Sequence, residues 1–200
     1  GKDAGDPVNE AEQTLLLNGS EIVVSVYNGD GWTSTRLTEN ATPDLAPAVA
    51  ANGKGNAVVF WRSVYTPTLE KPLDFAAQDT ILFSRYDGET GKWSDPQPIY
   101  NGSTGTVMGL QAAMLPDGTA IAVYTIDRSG SGDTTQYEVG YSLVNSEGEA
   151  GTPLNATRDT WLDENPQVTV ADFGDGNYRF VLAWHAVRDG VGDIRLMAVD

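Results

Sequence analysis

At 200 residues, with no cysteine and a single histidine, the chain excludes disulfide scaffolds, thiolate metal sites and any centre assembled from several imidazoles. Twelve Lys and Arg against 28 Asp and Glu leave a net charge of −16, which repels nucleic acid and anionic membranes. No apolar run is long enough to cross a bilayer, so neither nucleic acid nor membrane insertion is expected, and the composition suits a secreted or cell-surface protein.

The first 20 residues open with the polar, acidic stretch GKDAGDPVNEAEQ and read as a flexible lead-in or a first strand. The best helical candidate, residues 9–17, bunches its apolar residues at one end instead of spacing them by helical turns. From residue 21 onward the chain repeats one pattern in copies at 21–63, 81–128 and 139–189, with a fourth opening at 194. The anchors Tyr27, Tyr86, Val144 and Val199 lie 59, 58 and 55 positions apart, a period that marks a repeat architecture. Each copy holds four short runs rich in Val, Ile, Tyr, Phe and Trp, separated by Gly, Asn, Asp and Pro, which predicts antiparallel strands joined by hairpins.

The turns recur in register. Asn52-Gly-Lys-Gly-Asn56, Pro116-Asp117-Gly118 and Gly174-Asp-Gly-Asn177 each supply the positive φ of a tight turn between the third and fourth runs. After the second run stand Asn40-Ala-Thr, Asn101-Gly-Ser and Asn155-Ala-Thr, aligned as one crossover at which an Asx or Ser/Thr side chain fixes the backbone. Two copies continue into D-x-x-P, at Asp44 and Asp163. The fold class is all-β, a β-propeller of four-stranded antiparallel blades with boundaries near 45, 108 and 165.

Residues 47–61 (PAVAANGKGNAVVFW), 84–96 (SRYDGETGKWSDP) and 166–184 (PQVTVADFGDGNYRFVLAW) resemble the inner and outer strand pairs of sialidase-like and related bacterial secreted β-propellers. The outer hairpin departs by spacing from the Asp box, S-x-D-x-G-x-x-W, so the resemblance implies the fold and leaves activity open. A sialidase-like site would imply three arginines on a carboxylate, a tyrosine–glutamate pair and an aspartate. Only Arg62, Arg128 and Arg188 lie where a channel mouth is expected. At roughly 58 residues per blade, a closed ring of six to eight blades needs on the order of 350–460 residues. The 200 residues here therefore describe about three blades, and a second polypeptide completing the ring is one expectation.

Propellers meet ligands at strand ends, and aligning the fourth runs groups Trp61, Arg62, Tyr124, Trp184 and His185, with Asp127, Arg128 and Arg188 just beyond. An aromatic ring beside a charged group suits sugar recognition, while the same rings at alternate positions also suit packing between sheets. Trp32 and Trp93 follow the outer hairpins and read as plugs at blade corners. No catalytic or metal residue and no cofactor is expected. Calcium in one of the Gly-Asp loops at 127–133, 172–177 or 189–193 is the alternative worth weighing.

The N-x-S/T triplets at Asn18, Asn40, Asn101 and Asn155 read as a repeated turn before they read as glycan acceptors. The expected function is ligand binding, to a glycan or a protein partner. Part of a glycoside hydrolase or lyase, and a scaffold within a large surface protein, are the alternatives.

Overall fold

The computed structural model describes residues 19–64, 79–99, 106–127 and 134–200. Within them every regular element except a 3-10 turn at Thr134–Gln136 is a β-strand. The chain opens with an isolated pair, β1 (Val23–Tyr27) and β2 (Trp32–Arg36). A full sheet follows, β3 (Asp44–Ala51), β4 (Ala57–Val64) and β5 (Asp79–Asp87), with the short β6 (Lys92–Trp93) and β7 (Gln97–Pro98) both paired to β5. The next holds β8 (Thr106–Met114), β9 (Ala120–Asp127), β10 (Tyr137–Val144) and β11 (Leu154–Asn155). The last holds β12 (Leu162–Asp172), β13 (Tyr178–Arg188) and β14 (Val191–Val199).

Every pairing is antiparallel, and all but that of β5 with β7 join chain neighbours, as hairpin connections require. Asn52, Leu115, Asn145 and Phe173 each close a tight turn by donating their amide to the carbonyl four residues on. At Asp189-Gly190 a two-residue turn carries φ of 52° and 77°, the double positive φ of a hairpin turn.

The sheets stack face to face, and their first strands β3, β8 and β12 lie side by side in that order. Phe60, Ile81 and Phe83 meet Leu110, Ala122 and Tyr124 between the first two full sheets. Ile121, Val123 and Val139 meet Phe180, Leu182 and Trp184 between the next two. Strand β9, covered on both sides, is buried at all eight positions, which is why it reads as a nearly unbroken apolar run. Stacked four-stranded meanders with adjacent first strands are blades of a β-propeller. The described residues form the outer pair of one blade, two whole blades and three strands of a last blade.

Each first strand carries one extra residue against its partner, between Leu45 and Ala48, Met108 and Gln111, and Glu164 and Gln167. The backbone at Ala46, Gly109 and Asn165 takes φ of 51°, 59° and 54° there. The D-x-x-P motif thus marks a β-bulge in two blades, and the third blade bends its first strand at the same place without the motif.

Candidate functional site at the long-loop ends of the strands

The two ends of the strands differ. One carries the tight turns at 28–31, 52–56, 87–91, 115–119, 145–149 and 173–177, whereas the other carries the connections 38–43, 65–78, 99–105, 128–136 and 156–161 and the two-residue turn at 189–190. Loops held by a rigid scaffold are where recognition is usually built, and the candidate residues lie at this second end.

The aromatic residues occupy one structural position. Register places Trp61, Tyr124 and Trp184 next to the bulge partners Arg62, Thr125 and His185, on the face turned toward the preceding blade. All three rings are buried and fill the space between sheets. Their polar atoms are used internally. Trp61 Nε1 donates to Asp44 Oδ1 at 3.0 Å, Trp184 Nε1 to Asp163 Oδ1 at 2.8 Å, and the Tyr124 hydroxyl sits 3.1 Å from Ser142 Oγ. Tyr124 lies across Gly140, where a Cβ would stand 2.7 Å from a ring carbon, so that position requires glycine. Of the two outer-hairpin tryptophans, Trp93 is half-buried beside Tyr86 and packs into the first junction, while Trp32 is exposed and leans on Tyr27.

The aspartates belong to a network that occurs twice. In the first junction Thr38 Oγ1 accepts the Ile22 amide, Glu21 accepts the Asn40 amide, and Asn40 Nδ2 donates to Asp44 Oδ2 at 3.1 Å. In the third, Thr157 Oγ1 accepts the Val139 amide while donating to Glu138, and Glu138 accepts the Asp159 amide. The shared spacing is T-x-[ND]-x-x-x-D, at Thr38, Asn40 and Asp44 and again at Thr157, Asp159 and Asp163. Asn40 therefore corresponds to Asp159. The alignment of Asn40-Ala-Thr with Asn155-Ala-Thr is corrected by these bonds, since Asn155 lies in β11 opposite Gly140. The spacing was present in the sequence and was masked by the shared N-A-T triplet.

Where Asn40 offers Asp44 a donor, Asp159 offers Asp163 none. Asp163 is fully buried and, among the described residues, its Oδ2 has no hydrogen-bond partner. Burial, reinforced by the charges of Asp159 and Glu138, pushes its carboxyl above the ordinary aspartate value, against the Trp184 N–H and Arg195.

The middle junction is built differently. Arg62 reaches from β4 to the next blade, donating to the Val107 carbonyl at 3.0 Å and pairing with Asp79 at 3.2 Å. Asp79 Oδ2 also accepts the Val107 amide at 2.7 Å. Burial raises the Asp79 carboxyl, opposed by that amide and by Arg62. Asp127 closes the end of β9 and is buried. Arg62 is an inter-blade clamp with its side chain 23% exposed.

On the last blade, the surface above Asp163 gathers a second set. The Arg195 guanidinium lies 3.9 Å from the centroid of the half-buried Trp161 ring, and Arg188 lies 5.6 Å from it. Asp159 Oδ2 sits 3.4 Å from Arg195 Nη1, and Asp189 sits 3.4 Å from Arg188. Trp161 and Arg195 have no individual sequence signal, because it takes the pairings of β12 with β13 and of β13 with β14 together to bring residues 161 and 195 to one place. His185, one position from Trp184, faces the opposite side of the sheet and meets Glu164 at 3.4 Å. The structure thus brings Arg188 to this patch, keeps His185 on the other face, and buries Trp61, Tyr124, Asp127 and Trp184. Arg128 and the rest of the 128–133 loop lie outside the described residues, as do Asn18 and Asn101. Among the described residues no group of three or more His, Asp and Glu is arranged to hold a metal ion, and no helix is long and apolar enough to cross a membrane.

No protein-family model matches the sequence, and no curated protein matches it. Solved β-propellers match its fold. A Trypanosoma rangeli sialidase in complex with the inhibitor DANA superposes with a TM-score of 0.53 at 12% identity, covering 91% of this chain and 33% of that one. An endo-arabinase from Bacteroides thetaiotaomicron gives 0.45 at 16% identity over 90% and 65% of the two chains. A Penicillium chrysogenum α-L-arabinanase complexed with arabinobiose gives 0.48 at 17% identity over 90% and 56%. The likeness is one of fold, and this chain spans less than two-thirds of each.

Proposed function

We propose that the chain is part of a carbohydrate-binding β-propeller that meets its ligand at the long-loop end, on the Trp161 patch of the last blade. The observation that carries this reading is a half-buried tryptophan ring framed by Arg195, Arg188 and Asp159. An aromatic face offers packing to sugar C–H groups, and the surrounding guanidinium and carboxylate groups can fix hydroxyls. Arg195 is held in place by Asp159. Arg188, with its side chain 61% exposed beside an exposed Asp189, is free to turn toward a ligand. An extracellular setting goes with this reading, and the cysteine-free, acidic composition is compatible with it.

The alternative, part of a glycoside hydrolase, draws support from Asp79 and Asp163, whose carboxyls are held above the usual range as a general acid requires. Both are buried beneath the surface, so binding is the reading the geometry favours. A glycan-array screen of the wild-type chain beside Trp161→Ala and Arg188→Ala tests it. Both variants are expected to lose at least about tenfold in signal on the bound glycans, roughly 1.4 kcal/mol. A Trp161→Ala signal equal to wild type would remove the patch from the account.

A further inference from the structure

Side chains alternate along β5, so Ile81, Phe83 and Arg85 share the face turned toward the next blade. Ile81 and Phe83 fill the core between the two sheets. Arg85 stands past that core, at the tight-turn end, where its Nη1 donates to the Asn145 carbonyl and its Nη2 to the Gly118 carbonyl at 3.2 Å. A Cβ on Gly118 would lie 3.3 Å from Nη2, so glycine gives the guanidinium its close approach. These bonds use two of its five N–H groups.

Among the described residues Arg85 is the half-buried arginine without a carboxylate partner. Arg36, Arg62, Arg179, Arg188 and Arg195 each pair with an Asp or Glu, and Arg158 is exposed. The carbonyls that hold Arg85 bring no countercharge, and burial draws its guanidinium below the usual arginine value. Beside it opens a cavity of about 510 Å³, a size that holds a small molecule. Phe83 and Trp93 line it with apolar surface, Gln97 with an amide and Ser146 with a hydroxyl. Lys92 adds a positive charge to the lining, while Asp87 and Glu147 add negative ones, so the lining is neutral in sum and favours a single negative charge over two. Asp87 is tied to its own turn, accepting the Glu89 amide at 2.8 Å and the Thr90 hydroxyl at 2.9 Å.

We propose that this cavity is a second binding site, which takes a small hydroxylated carboxylate: its carboxylate meets the unused N–H groups of Arg85, and its hydroxyls meet Gln97 and Ser146. The site lies at the end of the strands opposite the Trp161 patch and stands independently of it. A guanidinium partly withdrawn from water and fixed in place offers a preorganised donor fork, and a monoanion supplies the charge that the two carbonyls do not.

The test titrates the isotopically labelled full chain with glucuronate and follows amide chemical shifts. Saturable shifts are expected at Arg85, Gly118 and residues 145–148, with a Kd below about 10 mM. Glucose, which lacks the carboxylate, should bind at least about tenfold more weakly, and Arg85→Gln should weaken glucuronate by at least about the same factor. Gluconate separates two sources of this chemistry: tighter binding than glucuronate assigns the site to an open-chain acid, and weaker binding assigns it to a ring acid. Ser146→Tyr fills the cavity from an exposed position, so it should abolish binding even where Arg85→Gln loosens the turns that Arg85 clamps. Undiminished binding by Ser146→Tyr, equal binding of glucose, shifts that never saturate, or shifts confined to the surroundings of Trp161 would each overturn the proposal.

Discussion

The first and third junctions use the same network with one residue changed, and that change separates a satisfied carboxylate from an orphaned one. In the first, Asp44 holds Trp61 with one oxygen and takes the Asn40 amide with the other. In the third, Asp163 holds Trp184 with one oxygen, while its other oxygen is buried beside Asp159 without a partner among the described residues. The released Asp159 instead engages Arg195, which covers Trp161. One substitution thus withdraws a hydrogen bond from the interior and places its carboxylate in a surface patch. A polar group left unpaired in the interior costs about 1–3 kcal/mol, so the third junction is the less stable of the two networks and the one that carries the candidate site.

Removal of the rings is the harshest way to break this comparison. Trp61→Ala and Trp184→Ala are each expected to cost about 3–5 kcal/mol in denaturant unfolding, through the cavity between blades. Phenylalanine sharpens the contrast, since it keeps most of the ring and removes only the indole N–H. Trp184→Phe should cost more than Trp61→Phe by about 1–2 kcal/mol, because Asp44 retains Asn40 and Asp163 retains no donor. Equal costs would mean that the orphaned oxygen of Asp163 finds another partner.

Exchanging the single differing residue gives a smaller effect of opposite sign at the two sites. Asp159→Asn should stabilise the fold by about 0.5–1.5 kcal/mol at neutral pH by restoring the amide donor, and Asn40→Asp should destabilise it by a similar amount. The swap also moves the pH profile. A carboxyl raised in the folded state binds its proton there more tightly than in the unfolded chain. Its contribution is therefore fully present below the unfolded aspartate value and declines as pH rises through the window up to the folded one. Chemical denaturation from pH 4 to pH 8 should show that decline in the wild-type chain. Asp159→Asn, which removes a like charge and adds a donor, should flatten it. An unchanged slope would assign the decline to Asp79, whose carboxyl is raised as well.

The repeat, the blade type and the turns were legible in the sequence because each is written locally. Asn52, Gly118 and Gly174 mark turns by their own conformational needs, and the period from Tyr27 to Val199 carries the stacking of sheets. The direction of the aromatic rings was not legible. Trp61 and Trp184 face inward because Asp44 and Asp163 await them 17 and 21 residues upstream, and packing and ligand contact share one alternating pattern until those partners are known. The Trp161 patch was hidden for the same reason, since Arg188 was visible as a charge at a strand end while Arg195 and Asp159 join it only through sheet register.

The bulge at Ala46, Gly109 and Asn165 has a consequence for how such a chain can change. Side chains alternate between the two faces of a strand, and one inserted residue shifts the phase of that alternation. Residues 44 and 45, 106–108 and 162–164 therefore follow a different phase from the core-forming residues after the bulge. The buried position before the bulge can change polarity from blade to blade, as Val107 stands where Asp44 and Asp163 stand, while the apolar phase behind it goes on filling the space between sheets. The kink is an insulator between the part of each strand free to diversify and the part that must stay the same.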